Sequence, residues 1–436
     1  MRTMKNSGIE WIGEIPTGWK VKKIKHSFSI IAGATPKSEV SEFWDGDIAW
    51  ITPADYKTED VYVAGGKRNL SQAGYDSCGT TLIPSGSIVF SKRAPIGSVA
   101  INTNDLCTNQ GCLSCVPKCE CVTKYFYYMM SVFTEIFNLF GTGTTFKEIS
   151  ADNFANFSLP FPDINEQHQI VSYLDQKCTE IDAVIAKTKA TIEEYKKLKQ
   201  SVITEAVTKG IRGGRPMKDS GIEWIGEMPD EWNLIPFRHV LKERQEKNSP
   251  IKSTERLSLS IELGVTLYAD KTTNLDRFKE DFEQYKLAHS GDLVMNSMNM
   301  IVGATGVSEY YGCVSPVYYT FYDELDDHAT AKFCEYIFRS KTMLRFLFSL
   351  GKGIYAIVRG DDRVNTCRLK VSKEDLKSIV IPVPSVDEQR EIIVYLQNKC
   401  VEIDSLIAQK TALLEEMEMY KKSIIYEYVT GKKEVV

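Results

Sequence analysis

No stretch of this chain is a run of about 20 apolar residues, the length that a membrane-spanning helix needs. The first residues, Met1-Arg2-Thr3-Met4-Lys5-Asn6, lack the apolar centre of a secretory signal. A cytoplasmic address is therefore the expectation. Histidine is scarce, with five in 436 residues and no repeated metal spacing. The chain has no Asn-Pro-Pro-aromatic or Asp-Pro-Pro-aromatic tetrapeptide of the kind adenine methyltransferases use to clamp a flipped base. Leu139-Phe140-Gly141-Thr142-Gly143 imitates a glycine loop for S-adenosylmethionine, but it follows a helix where that loop must follow a buried strand. Gly351-Lys352-Gly353 lacks the preceding glycine and the following hydroxyl of a phosphate loop. Asp163 and Glu194-Tyr195-Lys196 suggest a nuclease carboxylate set. On one straight helix, however, Asp163 and Glu194 would stand about 45 Å apart, too far to share a metal. No catalytic apparatus is legible.

The composition, 43% apolar and 25% charged, is that of a soluble globular protein, and the length suits two or three domains. Eleven cysteines in a cytosolic chain are most simply free thiols. Cys112, Cys115, Cys119 and Cys121 have a spacing that zinc or an iron–sulfur cluster could use. No Gly or His lies within it, and small buried strand residues are the stronger reading. The net charge of −5 by itself argues against a nucleic-acid partner. One segment departs from that average. Residues 332–373 hold ten basic and three acidic side chains, a local +7, interleaved with Phe333, Tyr336, Phe346 and Tyr355. Such a patch can neutralise phosphates on an acidic protein, although a solvated helix face is the alternative.

What the chain does have, it has twice. Ser7-Gly8-Ile9-Glu10-Trp11-Ile12-Gly13-Glu14-Ile15-Pro16 and then Trp19 return as Ser220-Gly221-Ile222-Glu223-Trp224-Ile225-Gly226-Glu227-Met228-Pro229 and then Trp232. Leu159-Pro160-Phe161-Pro162 with Glu166-Gln167 returns as Ile381-Pro382-Val383-Pro384 with Glu388-Gln389. Between these frames the two copies diverge, apart from short echoes such as Ser85-Gly86-Ser87-Ile88-Val89 and Ser290-Gly291-Asp292-Leu293-Val294. A duplicated scaffold with two unlike inserts suggests one pseudo-symmetric body that reads two different things.

After each Pro-x-Pro the apolar period turns helical. Leu174, Cys178, Ile181, Ile185, Ile192 and Tyr195 follow three–four spacing, as do Leu396, Cys400, Ile403, Ile407, Leu414 and Met417, with Thr188 and Lys410 at the polar slots. These are coiled-coil seams on helices of about 42 residues, antiparallel if the halves are related by a pseudo-two-fold. The inserts read as mixed α/β. Strands over 87–90 and 98–101 bracket 92–97, and a helix over 125–140 runs into a glycine-broken loop. Gly210-Ile211-Arg212-Gly213-Gly214-Arg215-Pro216 reads as a flexible, basic linker.

The repeated opener, the Pro-x-Pro-x-x-x-Glu-Gln helix entry and the two-insert plan resemble the specificity (S) subunit of Type I restriction–modification systems. Ile88-Val89-Phe90-Ser91-Lys92-Arg93-Ala94-Pro95-Ile96-Gly97 and Gly143-Thr144-Thr145-Phe146-Lys147-Glu148-Ile149 carry the resemblance further. It implies an α+β fold: two α/β target-recognition domains joined by two long helices in an antiparallel coiled coil. The expected boundaries are 1–158 and 220–380 for the domains, 159–208 and 381–436 for the helices, and 209–219 for the linker. It also implies a non-catalytic subunit that reads a bipartite, asymmetric double-stranded DNA target and docks two methyltransferase subunits. Restriction subunits join through those, and S-adenosylmethionine, ATP and Mg belong to the partners; the product is N6-methyladenine on each strand. No metal or cofactor is expected on this chain.

The candidate recognition loops are 92–97 with 141–147, and 296–303 with 352–368. Their candidate DNA-binding residues are Lys92, Arg93, Thr144, Thr145 and Lys147 in the first half, and Asn299, Lys352, Tyr355, Arg359 and Arg363 in the second. The second insert replaces Lys-Arg-Ala-Pro-Ile-Gly with Asn296-Ser297-Met298-Asn299-Met300-Ile301-Val302-Gly303, so contacts do not transfer between halves. Two other readings compete. A stand-alone methyltransferase or endonuclease would need the cofactor loop and tetrapeptide that are missing, and a protein-binding coiled-coil scaffold would leave the +7 segment idle.

Overall fold

The computed structural model describes residues 2–57, 59–93, 96–141, 147–271, 281–324, 328–354, 357–358, 364–365 and 368–435. Of 271, 354, 357–358, 364–365 and 368 it describes the backbone alone. The chain divides into two compact units, Met1–Lys189 with Ala412–Val436, and Ala190–Thr411. Each unit therefore takes part of both long helices, Ile164–Lys209 and Val386–Val429.

In the first unit a five-stranded sheet runs in the order Phe28–Ala32, Cys112–Pro117, Ile88–Ser91, Val99–Asn102 and Tyr62–Val63. It is antiparallel except at its last pair. Its central strands are buried on both faces, and strand alternation divides their side chains. Ile88, Phe90, Val99 and Ile101 face a core with Tyr125, Phe126, Met129, Met130 and Phe137. Val89 and Ala100 face a second cluster with Ile51, Tyr56 and Leu106. The helix expected over 125–140 is two helices, Thr123–Val132 and Thr134–Phe140. They meet at Phe133, whose buried ring packs against Tyr426.

The second unit repeats this plan around a four-stranded antiparallel sheet: Lys242–Glu243, Tyr318–Tyr322, Leu293–Asn296 and Thr305–Val307. Leu293 and Met295 face a core that includes residues of the helices Ala329–Arg339 and Lys341–Leu350, and Val294 faces the hairpin Leu257–Ser260/Gly264–Leu267. The repeat holds at the level of register. Met4 pairs with Pro16 and Met217 with Pro229, and Lys20–Lys23 and Asn233–Pro236 pair with the strands that carry the Pro-x-Pro segments. In each opener the backbone of Ser7 or Ser220 donates to Gly13 or Gly226 at positive φ (70° and 68°), a conformation that explains glycine there.

The repeated opener is a helix clasp. In the first unit Ile9, Ile12, Ile15 and Trp19 join Ile424, Ile425, Tyr428 and Val429 of the second long helix in one core. In the second unit Trp224, Ile225, Met228 and Trp232 join Ile203, Ala206 and Val207 of the first long helix. The Glu of each Glu-Gln pair closes the clasp. Trp19 Nε1 donates to Glu166 at 2.6 Å and Trp232 Nε1 to Glu388 at 3.0 Å. Arg2 pairs with Glu166, and Arg215 with Glu388 at 2.6 Å.

The seam positions Leu174, Cys178, Ile181 and Thr188 are buried, as are Leu396 and Ile403, whereas Ile185, Ile192, Tyr195, Cys400, Ile407, Lys410, Leu414 and Met417 are half-buried. Within each unit the two helices run antiparallel, as the contacts show: Asp182–Lys421 and Lys189–Glu418 in the first, and Lys199–Asp404 with Gly210 beside Glu388 in the second. The linker expected to be flexible is instead pinned. Arg212 grips Glu391 through a bidentate pair, and Arg215 caps the preceding helix at the Lys209 carbonyl.

Candidate nucleic-acid interface

The hairpin of the first sheet carries the first candidate recognition loop. Ser91 donates to the Ser98 carbonyl at 2.8 Å and Gly97 to the Ser91 carbonyl at 2.9 Å, closing the loop at its base. Gly97 sits at φ 99°, and a Cβ there would meet Thr134 at 2.9 Å. The Ile149 N–H donates to the Lys92 carbonyl at 3.0 Å, so the 147–149 segment is stitched to the loop. Glu148 then bridges two of the expected cations, at 2.7 Å from Lys92 and 2.8 Å from Arg93. The Lys92 hydrogen bond is the leading cause that holds the Glu148 carboxyl below its ordinary range. Lys92 is largely covered and Arg93 is half open, while Lys147 is exposed. Thr144 and Thr145 lie outside the described residues. Glu148 is not among the sequence candidates, although it stands beside the Gly-Thr-Thr-Phe-Lys segment.

The second loop is built differently on the same frame. Asn296 accepts from the Met298 N–H at 3.1 Å, a short turn Met300–Val302 follows, and Gly303 closes it at φ 93°. Asn299 is exposed and its carbonyl accepts from Ala304 at 3.1 Å. The stitch recurs as Val371 N–H to the Ser297 carbonyl at 3.2 Å. Ser297 thus stands where the first half has Lys92, and Lys370 where it has Glu148. Lys352 lies opposite Lys370 in a short strand pair and contacts Asp375 at 3.1 Å, with most of its side chain in solvent. Tyr355, Arg359 and Arg363 lie outside the described residues.

The +7 segment is less available than its composition suggests. Lys332 and Arg339 both grip Glu335, whose other bond is to the Val307 N–H, and Arg339 also reaches the carbonyls of Ile261 and Glu262. Lys373 pairs with Glu243 at 2.6 Å, and Phe333 is core. Lys341, Arg345 and Lys370 remain exposed.

Among the described residues no group of three or more His, Cys, Asp or Glu side chains is arranged to hold a metal. Cys112 and Cys115 sit three apart on one strand, which puts them on opposite faces, one with Tyr56 and Val89 and the other with Phe90 and Phe126. They cannot converge on one ion. Burial pushes the Cys112 thiol up to about 12, as expected for an unreactive core residue.

The family described as the Type I restriction modification DNA specificity domain matches residues 16–194. Over those residues the chain is similar to the specificity subunits of Type I restriction–modification systems. It is similar to the Type I restriction enzyme MjaIX specificity subunit of Methanocaldococcus jannaschii, 32% identical over 246 residues. That match spans 55% of this chain and about half (55%) of the relative's length. The putative MjaX specificity subunit of the same organism is 24% identical across 97% of this chain and 95% of its own. Two solved structures share the fold. One, from work on complex assembly and conformational transition of the type I R-M system, has a TM-score of 0.67 at 13% identity, covering 96% of this chain and 99% of that one. The HsdS subunit from Thermoanaerobacter tengcongensis has a TM-score of 0.51 at 14% identity, covering 96% and 98%. No helix among the described residues is long and apolar enough to cross a membrane.

Proposed function

We propose that this chain is the non-catalytic DNA-specificity subunit of a Type I restriction–modification complex. It reads a split, asymmetric double-stranded target, one half through each recognition loop, and docks two methyltransferase subunits, through which restriction subunits join. S-adenosylmethionine, ATP and Mg are bound by those partners. The observation that carries this reading is one frame bearing two unlike loops, with Lys92 and Glu148 in one half where the other has Ser297 and Lys370. Like frames set two readers and unlike loops give them different half-sites.

Replacing residues 7–158 with the equivalent insert of another family member is expected to change one half-site and leave the other half and the gap unaltered. Sequencing of N6-methyladenine in host DNA reads the result, and a change in both halves would overturn the modular reading. The retained candidates Arg93, Lys147 and Asn299, with Lys92 behind them, are proposed as the contacts of the described loops.

Glu148→Gln tests the first of those loops. The carboxylate neutralises Lys92 and Arg93, so its removal frees cationic charge for phosphates. Binding of a random-sequence duplex should tighten, and the dependence of log K on log salt should steepen by about one unit. Unchanged binding would remove Lys92 and Arg93 from the interface.

A further inference from the structure

The second unit contains a cleft of about 500 Å³ whose lining includes Lys286, Lys352, Lys370 and Lys373 against one acidic residue, Glu374. Two of these ammonium groups have carboxylate partners, Lys352 with Asp375 and Lys373 with Glu243. Lys286 and Lys370 have no carboxylate partner among the described residues. Lys286 is half-buried and its amine donates to the Tyr318 carbonyl at 2.9 Å. Burial and the neighbouring Lys373 pull the Lys286 amine below its ordinary range. Like charges held together in a partly desolvated cleft are unfavourable unless an anion joins them.

We propose that this lysine cleft is a phosphate-binding site that takes a backbone phosphate of DNA beside the second half-site. The inference rests on the specificity-subunit reading and adds to it Lys286, Lys370 and Lys373, none of them among the sequence candidates. Two facts favour a DNA phosphate over a free phosphate-bearing ligand. The cleft lies along the strand that carries Lys370, and the next residue, Val371, is stitched to Ser297 of the second recognition loop. Lysine ammoniums are also point charges, suited to a sequence-independent backbone contact rather than to the planar recognition of a base. The first unit has Glu148 at the position of Lys370, so among the described residues the same lysine does not recur there, and the two halves hold DNA by unequal electrostatic terms.

The test uses the full chain with its methyltransferase partners and a random-sequence 30-base-pair duplex, titrated by fluorescence anisotropy across salt concentrations. Lys370→Gln is expected to weaken binding several-fold and to reduce the salt slope by about 0.9, the loss of one phosphate contact. Lys286→Met is expected to do the same, and Lys370, being exposed, keeps the test valid if the half-buried Lys286 variant fails to fold. Wild-type binding that neither substitution alters would overturn this inference alone. Protection of the cleft by inorganic phosphate, with the DNA salt slope unchanged in Lys370→Gln, would assign it to a free ligand and overturn it as well. Absence of salt-dependent DNA binding by the wild-type complex would instead overturn the specificity-subunit reading.

Discussion

Deletion of residues 412–436 is expected to unfold the first unit and leave the second folded. The deleted segment closes the distant N-terminal core: Ile424, Ile425, Tyr428 and Val429 are buried beside Ile12, Ile15 and Trp19. Burying four such side chains contributes roughly 6–12 kcal/mol at about 1.5–3 kcal/mol each. That is comparable to the whole stability of an ordinary domain, about 5–15 kcal/mol. Polar groups would be stranded too. The buried Tyr125 hydroxyl donates to the Val429 carbonyl at 2.8 Å, and Lys432 donates to the Ile12 carbonyl at 2.8 Å. An unsatisfied buried hydroxyl costs about 1–3 kcal/mol more. The second unit, Ala190–Thr411, keeps every residue of its own core. Hydrogen exchange resolved along the chain checks this. Protection should vanish over 2–189 and persist over 190–411, and equal loss in both would refute the assignment of the C-terminal segment to the first unit.

Glu388→Ala is expected to destabilise the second unit by about 3 kcal/mol, at the low end for a buried pair losing one partner. The Glu388 carboxylate is 3% exposed and accepts from both Arg215, itself 10% exposed, and the Trp232 indole. Arg215 retains Glu231 and the Lys209 carbonyl, which moderates the loss. The equivalent Glu166→Ala should cost less, because Glu166 and Arg2 are each 21% exposed and water compensates in part. Glu388→Gln keeps an acceptor for the indole and should recover part of the loss. Urea unfolding followed by Trp fluorescence measures the series; equal effects at 166 and 388 would mean that burial does not govern the clasp.

The repeat makes these positions easy to find and hard to interpret from sequence. Glu166-Gln167 and Glu388-Gln389 stand out as duplicated text, yet their partners Trp19, Arg2, Trp232 and Arg215 lie well over a hundred residues away. Only chain reversal makes the motif a clasp. The linker shows a related effect: Gly210, Gly213 and Gly214 suggest freedom, but Arg212 and Arg215 pair with Glu391 and Glu388 of the far helix. The +7 segment shows the same limit in its charge. Counting along 332–373 includes Lys373 as an available cation, although Glu243 arrives from another strand to pair with it.

Local physics alone was enough for the duplicated frame, the two long helices and the hairpins around 92–97 and 296–303. Helical period, Pro-x-Pro brakes and glycine turns act over a few residues, so they are visible in the text. Tertiary structure alone decided which charges are spent and which remain free. Glu148 occupies Lys92 and Arg93, Glu243 removes Lys373 from the basic segment, and Lys286 meets Lys370 and Lys373 in one cleft. Pairing energies depend on distances of a few ångströms between residues remote in sequence, and only the folded chain sets those distances.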